Sequence, residues 1–182
     1  MYFEKQGQIN TEKTLELAYS RGKEIGLNEA VIASTKGDTA YKALEIFEGF
    51  NTTVVTYHCG FKEPFTKMMS DDVRKDLEKK GAAVIMASHA LSGVERSVAK
   101  KYSGSCPLLL IADTLRLFGQ GAKVAVEVSI MAADAGALTG KDIVSIGGTA
   151  KGADTALILK PANQSDFFDM RIREIICKPR SF

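Results

Sequence analysis

The 182-residue sequence has no tryptophan, two histidines, three cysteines and four prolines. Cys59, Cys106 and Cys177 are far apart and form no CxxC pair, which argues against structural zinc and against a disulfide framework. A reducing, cytoplasmic location is therefore expected. Charge of one sign is also missing. Lysine and arginine total 24 against 22 acidic residues, a net charge of +2, and the basic residues are scattered. A nucleic-acid binder would concentrate them in a patch. No apolar stretch reaches membrane-spanning length, and Phe3-Glu4-Lys5 interrupts the N-terminal region early, so neither a membrane partner nor a signal peptide is expected. Glycine, proline and serine are evenly spread, with no linker, repeat or low-complexity tract, and a single domain spanning 1–182 is expected.

Several catalytic motifs are absent too. Gly136-Ala-Leu-Thr-Gly-Lys-Asp142 is one residue short of a P-loop and ends in Asp where Ser or Thr belongs. Gly147-Gly-Thr-Ala-Lys-Gly152 lacks GxGxxG spacing and leads into another strand-like run. There is no HExxH, no GxSxG and no arguable Ser-His-Asp arrangement.

What remains reads as alternating strands and helices. Residues 1–9 look like a lead-in. Asn10 or Thr11 caps a helix reaching about Ile25, with Gly26 as its stop. Strands are expected at 30–33, 52–57 and 82–87, and helices at 40–48 and 71–80, the latter capped by Ser70. Ser92-Gly-Val-Glu95 has capping-box spacing and predicts a helix to about Tyr102. Pro107 suits the first position of a helix over 108–118 that is apolar nearly all round. Such a helix is either central and buried or lies at a homo-oligomer interface. Residues 123–135 predict a helix. Strands at 142–147 and 154–159 flank a glycine-rich hairpin loop, and 167–176 fits helix or strand. The expected fold is α/β: a three-layer α/β/α arrangement with a mostly parallel sheet and a C-terminal antiparallel hairpin.

The most informative stretch is Ala30-Val-Ile-Ala-Ser-Thr-Lys-Gly-Asp-Thr-Ala40. A buried strand breaks into a Ser/Thr/Gly turn and enters a helix. The first-turn N–H groups of a helix have no intrahelical partner, and the aligned peptide dipoles make that end partly positive. Ser34, Thr35 and Thr39 add hydroxyls, Lys36 adds an ammonium, and Gly37 lets the backbone turn tightly. This is a phosphate cradle. The plainer alternative is an ordinary turn with Asp38 or Thr39 as N-cap.

Ligands of open α/β sheets sit beyond the carboxyl ends of the parallel strands. Residues 34–39, 58–61, 88–95 and 147–154 belong to that rim, and both histidines, His58 and His89, fall within it. Each either touches a ligand or is an ordinary loop histidine. Phe61 can wall a flat ring or simply pack down its loop. Glu127, among Val, Ala and Ser, is a candidate acid or base, although the solvated edge of an amphipathic helix is the plainer reading. Asp134 lies two turns along the same face. Asp113 and Arg116 are spaced to pair with each other.

Two segments together, residues 32–40 and 140–156, resemble the C-terminal domain of pyruvate kinase. There the first is a Ser/Thr-rich phosphate loop, which in some members holds an allosteric sugar bisphosphate, and the second is the closing hairpin. Over residues 10–179 the chain resembles the stand-alone proteins called pyruvate kinase alpha/beta domain-like. His89–Glu95, Ala112–Gly121, Val124–Gly136 and Phe168–Glu174 carry the rest of that likeness. The resemblance implies the pyruvate kinase C-terminal fold without kinase activity, since the catalytic residues of that enzyme lie in a β/α barrel with no room here. It also implies flavin mononucleotide (FMN) as cofactor. The phosphate would lie on Ser34, Thr35, Lys36, Gly37, Asp38 and Thr39, and the flavin toward His89, Gly147, Gly148 and Thr149. Two alternatives stand beside a flavoprotein of unknown reaction, which would fit an oxidoreductase. One is a non-catalytic module sensing a phosphosugar or nucleotide. The other is a phosphatase or phosphotransferase using His89 or Asp38.

Overall fold

A computed structural model describes residues 1–104 and 106–182. In chain order the elements are β1 (Tyr2–Phe3), α1 (Thr11–Glu24), β2 (Glu29–Ala33), α2 (Asp38–Ile46), β3 (Asn51–Thr56), α3 (Asp71–Lys79), β4 (Ala83–Met86), α4 (Glu95–Tyr102), α5 (Pro107–Arg116), α6 (Gln120–Asp134), β5 (Ile143–Gly147), β6 (Thr155–Lys160) and β7 (Arg171–Pro179). Short 3-10 turns occupy Gln8–Asn10 and Gln164–Asp169.

The strands form one seven-stranded mixed sheet in the order β1-β7-β6-β5-β2-β3-β4. β5, β2, β3 and β4 run parallel, while β6 is antiparallel to both β5 and β7. The parallel centre follows from composition. β2 (Glu-Ala-Val-Ile-Ala) and β3 (Asn-Thr-Thr-Val-Val-Thr) are largely buried on both faces, as β-branched and small residues allow. Ala30, Ile32, Val144 and Ile146 meet Leu15 and Ala18 of α1, Ala43 of α2 and Phe47 just after it. Leu77 of α3 joins Ala40 and Val54 on that side. Val31, Val55, Ile143 and Leu157 face the other way, toward Ala125, Val128 and Ala132 of α6. Each fully buried Leu or Ile here contributes roughly 1.5–3 kcal/mol.

Helices thus cover both faces, with α6 packed on β5, β2 and β6 beneath α5. The approach of α6 is unusually close. A Cβ on the buried Gly147 would lie 2.2 Å from the Gly121 carbonyl oxygen and 2.7 Å from the Ala125 nitrogen, so only glycine fits.

Two expectations are corrected and two open alternatives are decided. Residues 1–9 are not a loose lead-in: Tyr2 and Phe3 pair parallel with Lys178 and Pro179, and the Met1 amine donates to the Ile176 carbonyl. Ser92 does not cap α4. Val94 holds the cap position, and the Glu95 carboxylate instead accepts from the Leu108 amide at 3.1 Å, in the first turn of α5. α5 is not a central buried helix. Leu110 and the following Leu117 and Phe118 are exposed and only Ala112 is fully buried, which leaves the interface alternative standing. Residues 167–176 divide between the 3-10 turn and β7, whose pairing with β6 has two register shifts. By contrast, the Ser70 cap is present, accepting from the Val73 amide at 3.3 Å. Arg116 pairs with Asp113, and all three cysteines are free. No helix among the described residues is long and apolar enough to cross a membrane.

Candidate functional site

β2 sits where the strand order reverses. From it the chain steps outward through β3 and β4, then returns through α6 to β5 on the other side. A crevice opens at such a reversal, beyond the carboxyl ends of the strands. The cleft found there has a volume of about 480 Å³, within the usual range of small-molecule sites.

One end is the turn after β2. The Ser34 amide extends the ladder by donating to the Val55 carbonyl at 3.0 Å, and its buried hydroxyl accepts from the Ala40 amide at 3.2 Å. Thr56 donates its hydroxyl to the Thr35 carbonyl at 2.8 Å, tying the turn to β3. Gly37, at φ +112°, is the N-cap of α2, in place of Asp38 or Thr39. A glycine cap offers no side-chain acceptor. Among the described residues, the Asp38 and Thr39 amides and the Thr39 hydroxyl therefore have no hydrogen-bond partner, although Thr39 is only 6% exposed. Lys36 and Lys42 line the same end.

Rings form the opposite end. Phe61 lies 4.2 Å from Tyr57 and 4.8 Å from His89 between ring centroids, and all three line the cleft. His58 does not line it and packs edge-on against His89 at 5.2 Å. Burial holds His89 down to about 4. Glu127 opposes that shift, while His58, Lys123 and Arg96 reinforce it, so the imidazole is neutral near pH 7.

α6 supplies the floor through Gln120, Lys123, Val124, Glu127, Val128 and Met131, spaced three and four apart on one face. Glu127 is 4% exposed and not a solvated edge. Its carboxylate pairs with the equally buried Lys123 and accepts from the Leu91 amide at 3.0 Å. Burial pulls the Lys123 ammonium below the usual lysine value, and Glu127 opposes this. Asp134 lies outside the cleft, where it accepts from Asn163 and from the Gln164 amide.

The hairpin loop closes one side with Gly148, Ala150, Lys151 and Gly152. It is pinned from below: the Thr11 hydroxyl accepts from the Ala153 amide, and the buried Asp154 accepts from the Gly7 amide and the Thr155 hydroxyl. Gly37, Gly147 and Thr149 do not line the cleft; Gly37 turns the backbone and Gly147 admits α6. Burial pushes the Cys177 thiol up to about 11, which leaves it unreactive there.

Lys36, Lys42, Lys62, Arg96, Arg116, Lys123 and Lys151 line the cleft against only two carboxylates, Asp38 and Glu127. The N-termini of α1, α2 and α6 also reach it, through Thr11, Asp38 and Gln120. The arrangement suits an elongated ligand with an anion at one end and a flat group at the other. Sequence reasoning missed most of these cations. The visible signal for one of them was Lys123 and Glu127, four apart in an otherwise apolar helix. No family model matches the chain.

Proposed function

We propose that the protein binds FMN, with the phosphate on residues 34–39 and the ring system toward Phe61 and His89, and that it is a pyruvate kinase alpha/beta domain-like protein without kinase activity. The observation that carries this reading is the polarity of the cleft. Unclaimed amides, the free Thr39 hydroxyl and lysines stand at one end, and a cluster of rings stands at the other. Bound flavin supplies electron or hydride transfer itself, and an oxidoreductase is the enzyme class that fits. Ser34, Lys36 and Thr39 hold and orient the phosphate, Phe61 covers the ring, and neutral His89 offers one donor and one acceptor beside it.

A fluorescence titration with FMN and riboflavin, which lacks the phosphate, tests the assignment. FMN is expected to bind about a hundredfold more tightly, since charge-assisted bonds to the phosphate contribute roughly 1.5–3 kcal/mol each. Equal affinities would remove the phosphate from the turn. Failure to bind either compound would favour the phosphosugar- or nucleotide-sensing module.

A further inference from the structure

The ring end of the cleft holds polar groups of its own, apart from those of the turn. His89 is 9% exposed, lines the cleft and makes no hydrogen bond with any described residue; its neighbours Tyr57, His58 and Phe61 present rings. The Lys123 ammonium has three N–H donors. It is buried, and among the described residues its one acceptor is Glu127.

Two of the cations at this end are paired. Glu127 compensates Lys123, and Asp113 with Gln120 holds Arg116. Arg96 has no carboxylate partner among the described residues and lies 5.4 Å over the Phe61 ring. Lys62, next to Phe61, likewise has no carboxylate partner among the described residues, so this end carries a net positive charge that suits an anion. The other end, where Lys36, Lys42 and Lys151 face Asp38, matches a dianionic phosphate. Behind His89 a second cavity of about 370 Å³ shares His89 and Met131 with the cleft; Ala87, Ala90 and Leu108 line it together with the polar Ser88, Asp134 and Gln164.

We propose that this end is a second anion-recognition site, taking the carboxylate of a small organic acid. Arg96 supplies an uncompensated charge, Lys123 the buried N–H donors and His89 a further hydrogen bond. The inference takes from the preceding section the placing of the phosphate end at residues 34–39 and of the ring toward Phe61 and His89. It names the substrate class that would lie beside the ring.

An anion docked here favours the charged imidazole. The groups facing His89 are Tyr57 and His58 after β3, Arg96 of α4, and Lys123 and Glu127 of α6. The test follows the His89 imidazole by NMR on the purified full chain, in whatever ligand state it is isolated, with benzoate as probe. Benzoate is expected to move the His89 resonance saturably and raise its titration midpoint. Arg96→Ala should weaken binding roughly tenfold and Arg96→Lys should restore part of it. Inorganic phosphate should perturb the Thr39 amide and not His89.

A His89 resonance unmoved by benzoate, or a response kept in full in Arg96→Ala, would overturn the proposal. A protein that neither carries nor takes up FMN, yet whose His89 responds, refutes the flavin and keeps this site. A flavin-loaded protein whose His89 stays silent does the reverse.

Discussion

Glu127→Ala is expected to destabilise the protein by about 3–5 kcal/mol, because it leaves the buried Lys123 ammonium uncompensated. The same change strips the Leu91 amide of its acceptor. Removing both charges should recover most of the loss. Lys123→Met with Glu127→Leu leaves chiefly the unpaired amide, roughly 1–3 kcal/mol. The pH dependence has a definite sign. Without Glu127 the folded-state pKa of Lys123 falls further below its unfolded value, so the unfolded chain binds more protons between the two. Stability of the single variant should therefore rise as pH is raised toward the usual lysine value, and its deficit should shrink. Urea unfolding at several pH values measures this. A single variant within about 1 kcal/mol of the parent would show that the pair is wetter than the structure has it.

The second large effect concerns binding. Lys36→Ala combined with Thr39→Ala is expected to weaken retention of a phosphate-bearing ligand by about 10²- to 10³-fold while leaving the fold intact. The fold should survive because Lys36 is exposed and the Thr39 hydroxyl holds no described protein group. Calorimetric titration with FMN, beside a thermal melt, checks both halves. Unchanged affinity at an unchanged melting temperature would place the phosphate elsewhere.

The turn at residues 34–39 was legible in the sequence because it is local. Strand, turn and helix succeed one another within a dozen residues, and each announces itself by composition. The parallel sheet was legible for a related reason, since buried strands alternated with helices. Features governed by distant partners were not. β1 is two residues long and exists because β7 lies beside it. Glu95 has the spacing of a capping box, yet the α5 amide nearby in space takes its carboxylate. Glu127 reads as a solvated edge until α6 is placed between the sheet and α5 with the cleft along its length. Most of the cleft's cations lie on separate elements, α2, α4, α5 and α6 among them, and their convergence is a property of the topology.

His89 lies between these cases. Its place just after β4 suggested the rim, and the ring cluster around it required the fold to bring residues 57–61 alongside. The same packing that buries His89 also leaves it without a hydrogen-bond partner among the described residues.

The most direct test of the central reading is a visible absorption spectrum of the freshly purified protein, followed by mass spectrometry of whatever acid releases. A yellow protein releasing FMN is the expected result. A colourless protein that also fails to take up added FMN would contradict it and leave the cleft to a phosphosugar or nucleotide.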